Sequence, residues 1–155
     1  MKIAIFPGTF DPFTIGHYDI VVRALDIFDT IIIAVGINHT KQPSFSVEKR
    51  VSSITQVFAH CPQVKVVAYN GLTIEVAKQH HATHILRGVR SVQDFEYERN
   101  IADTNRQLAN IDTVLLYTRP EYAHISSSMV RDLHAHGYDI STFLPPIAQS
   151  SILDK

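Results

Sequence analysis

Five short apolar runs alternate with five helix-length amphipathic stretches along this chain, which restricts the available folds more than any single motif does. Residues 2–6, 30–36, 64–68, 83–86 and 113–117 read as strands. Residues 16–28, 46–60, 72–80, 92–109 and 127–136 read as helices, and 147–153 add a short one behind Pro145-Pro146. In the first helix Ile20, Ala24 and Phe28 recur at four-residue spacing, and Val21 and Leu25 widen the stripe. Ser46 can cap the second, whose inner face carries Val47, Val51, Ile54 and Phe58. The run from Thr30 to Gly36 is almost wholly apolar, as a strand covered on both faces must be. The expected fold is therefore α/β: one doubly wound domain, residues 1–155, with a five-stranded parallel sheet.

Such a sheet binds ligands at the carboxyl ends of its strands. Four polar segments follow predicted strands: Pro7-Gly8-Thr9-Phe10-Asp11-Pro12, Asn38-His39-Thr40-Lys41, Arg87-Gly88-Val89-Arg90 and Ile125-Ser126-Ser127-Ser128. Brought to one edge, they gather Thr9, His17, Lys41, Arg87, Arg90 and a serine-rich helix start around a crevice suited to several phosphates. Formal net charge is −1 and no long basic run occurs, so neither nucleic acid nor a membrane surface is an expected partner. The lone Cys61, beside Pro62, leaves no internal disulfide and is not read as a nucleophile. The opening residues are too short a run for a signal peptide, and no apolar stretch approaches bilayer length, so the cytoplasm is the expected compartment.

Each segment offers distinct chemistry. Gly8 permits a sharp turn close to a ligand. Gly16 and His17 fall at a helix start, where free N–H groups favour an anion and an imidazole can stabilise charge growing in a transition state. Lys41 is a mobile point charge, whereas Arg87 and Arg90 carry forks that match phosphate oxygens. The arginines also have structural partners to hand in Asp94, Glu96 and Glu98, and that alternative stays open. Ser126, Ser127 and Ser128 can cap a helix and still present hydroxyls to phosphate, with Arg131 one turn on. His80, His81 and His84 lack carboxylate or cysteine company at metal-ligand spacing and read as a solvated helix end. Neither Gly-x-Gly-x-x-Gly at the first helix nor a Walker-type Gly-Lys-Ser/Thr is present.

At these residues the chain resembles a known family. Residues 6–12 with Thr14-x-Gly16-His17 are similar to the (His/Thr)-x-Gly-His signature of the nucleotidylyltransferase superfamily, and Ile125-Ser126-Ser127-Ser128-x-x-Arg131 is similar to its second signature. Arg87-Gly88-Val89-Arg90 followed by Asp94 to Glu98 narrows the resemblance to bacterial phosphopantetheine adenylyltransferases, over essentially the whole length. The resemblance implies a Rossmann-like fold and transfer of an adenylyl group from ATP to 4′-phosphopantetheine, giving dephospho-coenzyme A and pyrophosphate. It implies catalytic roles for His17, Thr9 and Lys41, and ATP binding by Thr9, Phe10, His17, Gly88, Val89, Arg90, Glu98, Tyr122, Ala123, His124, Ile125, Ser126, Ser127 and Ser128. Thr9, Lys41, Leu72, Thr73, Arg87, Ile101 and Asn105 would bind the second substrate. It further implies Mg2+ held mainly through ATP phosphates, coenzyme A as a candidate feedback inhibitor, and a homohexamer. Sister enzymes that adenylylate nicotinamide mononucleotide or transfer cytidylyl groups share the general motifs, and a non-catalytic nucleotide sensor could share the fold.

Overall fold

Continuously apolar sequence becomes central strand. A computed structural model describes residues 1–40 and 42–153 of the chain. The strands β1 (Ile3–Gly8), β2 (Thr30–Gly36), β3 (Val64–Tyr69), β4 (His84–Val89) and β5 (Asp112–Tyr117) form one all-parallel sheet in the order β3-β2-β1-β4-β5. Every inner residue of β1 and β2 is buried, whereas the edge strands β3 and β5 are only partly so. Alternate residues serve opposite faces, as strand geometry requires. Phe6, Ile31, Ile33 and Leu86 pack with Ile20, Val21, Ile54 and Phe58, while Ile5, Ile32, Ala34 and Ile85 pack with Val76 and Ala77.

The first of those faces carries α1 (Ile15–Ala24) and α2 (Val47–Val57), and the second α3 (Thr73–Gln79) and α4 (Val92–Ala109). After β5 a short 3-10 turn leads to α5 (Ser127–Ala135) and α6 (Ala148–Leu153). Phe45, Ile125, Val130, Ile140, Leu144 and Ile152 make a third apolar cluster that fastens this C-terminal region beside α2. The connections run outward to β2 and β3 from one side of β1 and to β4 and β5 from the other. The loops after β1 and β4 therefore part, and a crevice opens at that switch point.

Several boundaries differ from the sequence reading: β1 runs on through Pro7 and Gly8, and α2 ends at Val57 rather than 60. The first helix stops at Ala24 rather than 28, although Phe28 still reaches the core. The fourth strand runs on through Arg87, Gly88 and Val89, which pair with Leu115, Leu116 and Tyr117 of β5. Parallel pairing there overrides the expectation of a loop, because a neighbouring strand satisfies the backbone of a polar segment as readily as an apolar one. Among the described residues no helix is long and apolar enough to cross a membrane.

Candidate active site

Two adjoining cavities occupy the crevice, of about 460 Å³ and about 240 Å³. Pro7, Gly8, Thr9, Arg87, Tyr97 and Glu98 line both and so form a common wall. The larger cavity adds Phe10, His17, Gly88, Arg90, Tyr122, Ile125 and Ser126 to Ser128. The smaller adds Gly36, Tyr69, Thr73, Ile85, Ile101, Ala102 and Asn105, an apolar passage with a few polar groups along it.

The wall is shaped by the turn after β1. A Cβ on Gly8 would stand 2.8 Å from the Phe10 ring, so only glycine fits there. Phe10 has φ of +50°, the left-handed region that side-chain-bearing residues seldom enter, and its ring is buried against Phe6, Phe13 and His17. The Asp11-Pro12 peptide that follows is cis. Thr14 then caps α1: its Oγ1 accepts from the His17 N–H, and its own backbone N–H donates to His17 Nδ1 at 3.0 Å. That bond makes Nδ1 an acceptor and leaves the ring proton on Nε2. Burial, reinforced by the positive charge of Arg87 and Arg90, lowers the His17 pKa from 6.5 to about 3, so the half-buried ring is neutral at physiological pH.

Arg87 stands at the common wall with Nε and Nη2 donating to the two carboxylate oxygens of Glu98 at 2.9 and 2.7 Å. Its Nη1 donates to the Pro7 carbonyl at 2.6 Å. The pairing with Glu98 that the sequence left open is thus present, and it coexists with donors to spare: one N–H on each terminal nitrogen stays uncommitted in these bonds. Arg90 pairs more loosely with Asp94, at 3.3 Å, and reaches the Ile125 carbonyl. A side chain on Gly88 would press on Ile20 at 3.2 Å, which keeps this stretch of β4 close against α1. Ser126 caps α5 by accepting from the Met129 N–H, and Ser127 donates to the Pro12 carbonyl. Ser126, Ser127 and Ser128 line the larger cavity at the start of α5, and a helix start beside hydroxyls is a setting suited to an anion.

Of the residues singled out from sequence, Thr9, Phe10, His17, Thr73, Arg87, Gly88, Arg90, Glu98, Ile101, Asn105, Tyr122, Ile125, Ser126, Ser127 and Ser128 line one or both cavities. Leu72 is exposed, Val89 is buried in the sheet, and Ala123 and His124 stand off the walls. Lys41 lies outside the described residues. Sequence reasoning passed over Tyr69, Tyr97, Gly36 and Ala102, which carry no charge to draw attention, and also Asp11 and Arg50. Arg50 is buried and its pKa is lowered by that burial, against the opposing pull of Asp11 and Glu48. No group of three or more His, Cys, Asp or Glu side chains among the described residues is placed to hold a metal ion.

Known proteins resemble this chain in sequence and in fold. The cytidylyltransferase-like family matches residues 5–133. A phosphopantetheine adenylyltransferase of Phocaeicola vulgatus is 55% identical over 94% of this chain and 96% of its own length. One from Lachnoclostridium phytofermentans is 46% identical over 100% of this chain and 96% of its own. Among solved structures, a bifunctional NMN adenylyltransferase/ADP ribose pyrophosphatase of Francisella tularensis superposes with a TM-score of 0.69 at 16% identity, over 92% of this chain and 44% of that one. That last likeness concerns the fold.

Proposed function

This chain belongs to the phosphopantetheine adenylyltransferases, within the cytidylyltransferase-like family, and from that premise we propose how its two cavities divide the reaction. The enzyme joins ATP and 4′-phosphopantetheine to give dephospho-coenzyme A and pyrophosphate. ATP occupies the larger cavity, with its phosphates over the serine-rich start of α5 and near Arg90. The pantetheine arm occupies the smaller, between Ile85, Ile101 and Ala102, with Thr73 and Asn105 for its amides. Its phosphate meets Arg87 at the common wall.

A phosphate oxygen of phosphopantetheine attacks the α-phosphorus of ATP in line. The new P–O bond forms as the bond to the bridging oxygen of the β-phosphate breaks, and pyrophosphate leaves with that electron pair. The attacking phosphate is already a competent nucleophile, so no protein base is required; positioning and charge stabilisation supply the catalysis. Thr9 orients the incoming phosphate, and Arg87 holds it through the N–H groups that Glu98 and Pro7 leave uncommitted. His17 donates its Nε2–H to the α-phosphate as negative charge builds there. Lys41 is assigned to the same two phosphates from its place in the sequence. The donor set fits Mg2+ carried on the phosphates and water, because Asp94 and Glu98, the cleft's carboxylates, are each tied to an arginine. When bound, the ion offsets phosphate charge and eases departure of pyrophosphate.

The single observation carrying this reading is that Thr9 and Arg87 line both cavities while His17 faces the larger one from beside Thr9's turn. A cytoplasmic homohexamer of single-domain subunits, with coenzyme A as feedback ligand, completes the proposal. Exposed Val92, Phe95, Tyr97 and Leu108 on α4 give such an assembly apolar surface to bury. The test is direct: purified protein with ATP and 4′-phosphopantetheine forms dephospho-coenzyme A and pyrophosphate in equal amounts. Pyrophosphate released only with nicotinamide mononucleotide or another acceptor overturns the assignment.

A further inference from the structure

Arg50 sits in α2, lines neither cavity, and is 3% exposed. A guanidinium in such a place has lost its hydration and persists only where other oxygens replace the water. Here the replacements come from three separate segments. Nη1 donates to the carbonyl of Thr9 at 2.6 Å and to that of Gly36 at 3.1 Å, and Nε donates to the carbonyl of Phe45 at 3.0 Å. Thr9 and Gly36 both line the smaller cavity, and Thr9 the larger as well. Asp11, two residues beyond Thr9 and itself 3% exposed, accepts the N–H groups of Ser44 and Phe45 at 2.9 Å each. The turn after β1 is thereby bound at two points to the stretch leading into α2, and Arg131 holds it at a third by donating to the Asp11 carbonyl.

From this geometry we infer that Arg50 is a positioning residue for adenylyl transfer: from behind the site it fixes the Thr9 and Gly36 peptides, and through Thr9 it sets how closely the two phosphate groups approach. The inference rests on the functional reading above. Arg50 touches no substrate cavity and acts only through the backbone it holds. A planar fork can span the carbonyls of two cavity-lining residues and that of Phe45; an ammonium is a point charge and cannot reproduce that pattern. Rates of in-line transfer respond steeply to such placement, and a misfit of about 1 Å can cost roughly 10²-fold.

A residue that merely glued the 42–46 stretch to the sheet would lower stability without acting through Thr9. The experiment is a double-mutant cycle with Arg50→Lys and Thr9→Ala, read by kcat, by calorimetric ATP binding, and by the amide resonances of Thr9 and Phe10. Arg50→Lys alone is expected to lower kcat about 10-fold or more, to leave ATP binding within about threefold, and to shift both resonances. In the Thr9→Ala background the same change is expected to cost less than about twofold, since residues acting as a unit are not additive. Equal costs in both backgrounds overturn the inference. Arg50→Gln, which removes the buried cation while keeping a donor, serves if the lysine form does not fold; failure of both to fold makes Arg50 structural only and likewise overturns it. Wild-type protein that forms no dephospho-coenzyme A sinks the functional reading, whereas unmoved Thr9 and Phe10 resonances sink this one.

Discussion

The two cavities share a wall and little else. The larger is bounded by guanidinium groups, serine hydroxyls and a helix start, and it contains His17, whose ring is tied into the α1 N-cap. The smaller runs between α4 and the sheet past isoleucine and alanine, and its polar contacts are scattered. One is built to manage concentrated charge and the other to admit a long, weakly polar arm. Thr9 and Arg87 line both cavities, so the proposed reaction places its chemistry at the wall they share. Division of labour here follows from composition on either side of one strand pair, β1 and β4.

Removing His17 acts on the charged side. His17→Ala is expected to lower turnover by roughly 10²- to 10³-fold while ATP binding changes little, because the lost donor serves charge that develops only in transit. Single-turnover kinetics beside calorimetry separates the two; unchanged turnover would remove His17 from the chemistry. Arg87→Ala acts at the wall, and is expected to weaken phosphopantetheine binding by about 10- to 100-fold and ATP binding far less. Titrations showing the reverse order would assign Arg87 to the nucleotide. Ala102→Leu acts on the arm side alone: the added bulk should raise the KM for phosphopantetheine by about fivefold or more and leave that for ATP unaltered.

The smallest effect concerns pH. His17 protonates near 6.5 in the unfolded chain and only at about 3 in the native one. Between those values the unfolded state binds the extra proton, so stability is full above 6.5 and declines as pH falls toward 3. The kcat/KM profile, which reports the free enzyme, is accordingly expected to carry no His17 inflection between pH 6 and 8. An acid limb near 6.5 that vanishes in His17→Ala would show that the ring is not held neutral.

Much of this was visible in the residues. Strand β2 is buried over its inner length because Ile31 to Val35 offer nothing polar to water, and α1 and α2 show their inner faces at helical spacing. Thr9, Arg87 and Arg90 stand out as charged or hydroxyl-bearing groups near predicted strand ends and His17 as an imidazole at a helix start, and the fold brings them to one crevice. Less legible was where β4 stops, since Arg87 to Val89 gain strand geometry from β5 and from no pattern of their own. Phe10 lines the larger cavity, while its ring is buried among Phe6, Phe13 and His17, and its positive φ belongs to that assembled aromatic cluster rather than to any local pattern. Nothing in the sequence around Arg50 marks it as buried, because burial is not a local property.

Periodicity and residue type alone point to the alternating α/β fold and to phosphate-directed chemistry, since apolar spacing and side-chain charge act over a few neighbouring positions. Which side chains meet was decided by the sheet. Residues 9, 36 and 50 lie far apart along the chain and come together only when β1, β2 and α2 pack, so the spacing of two reacting phosphates depends on contacts no short window of sequence contains.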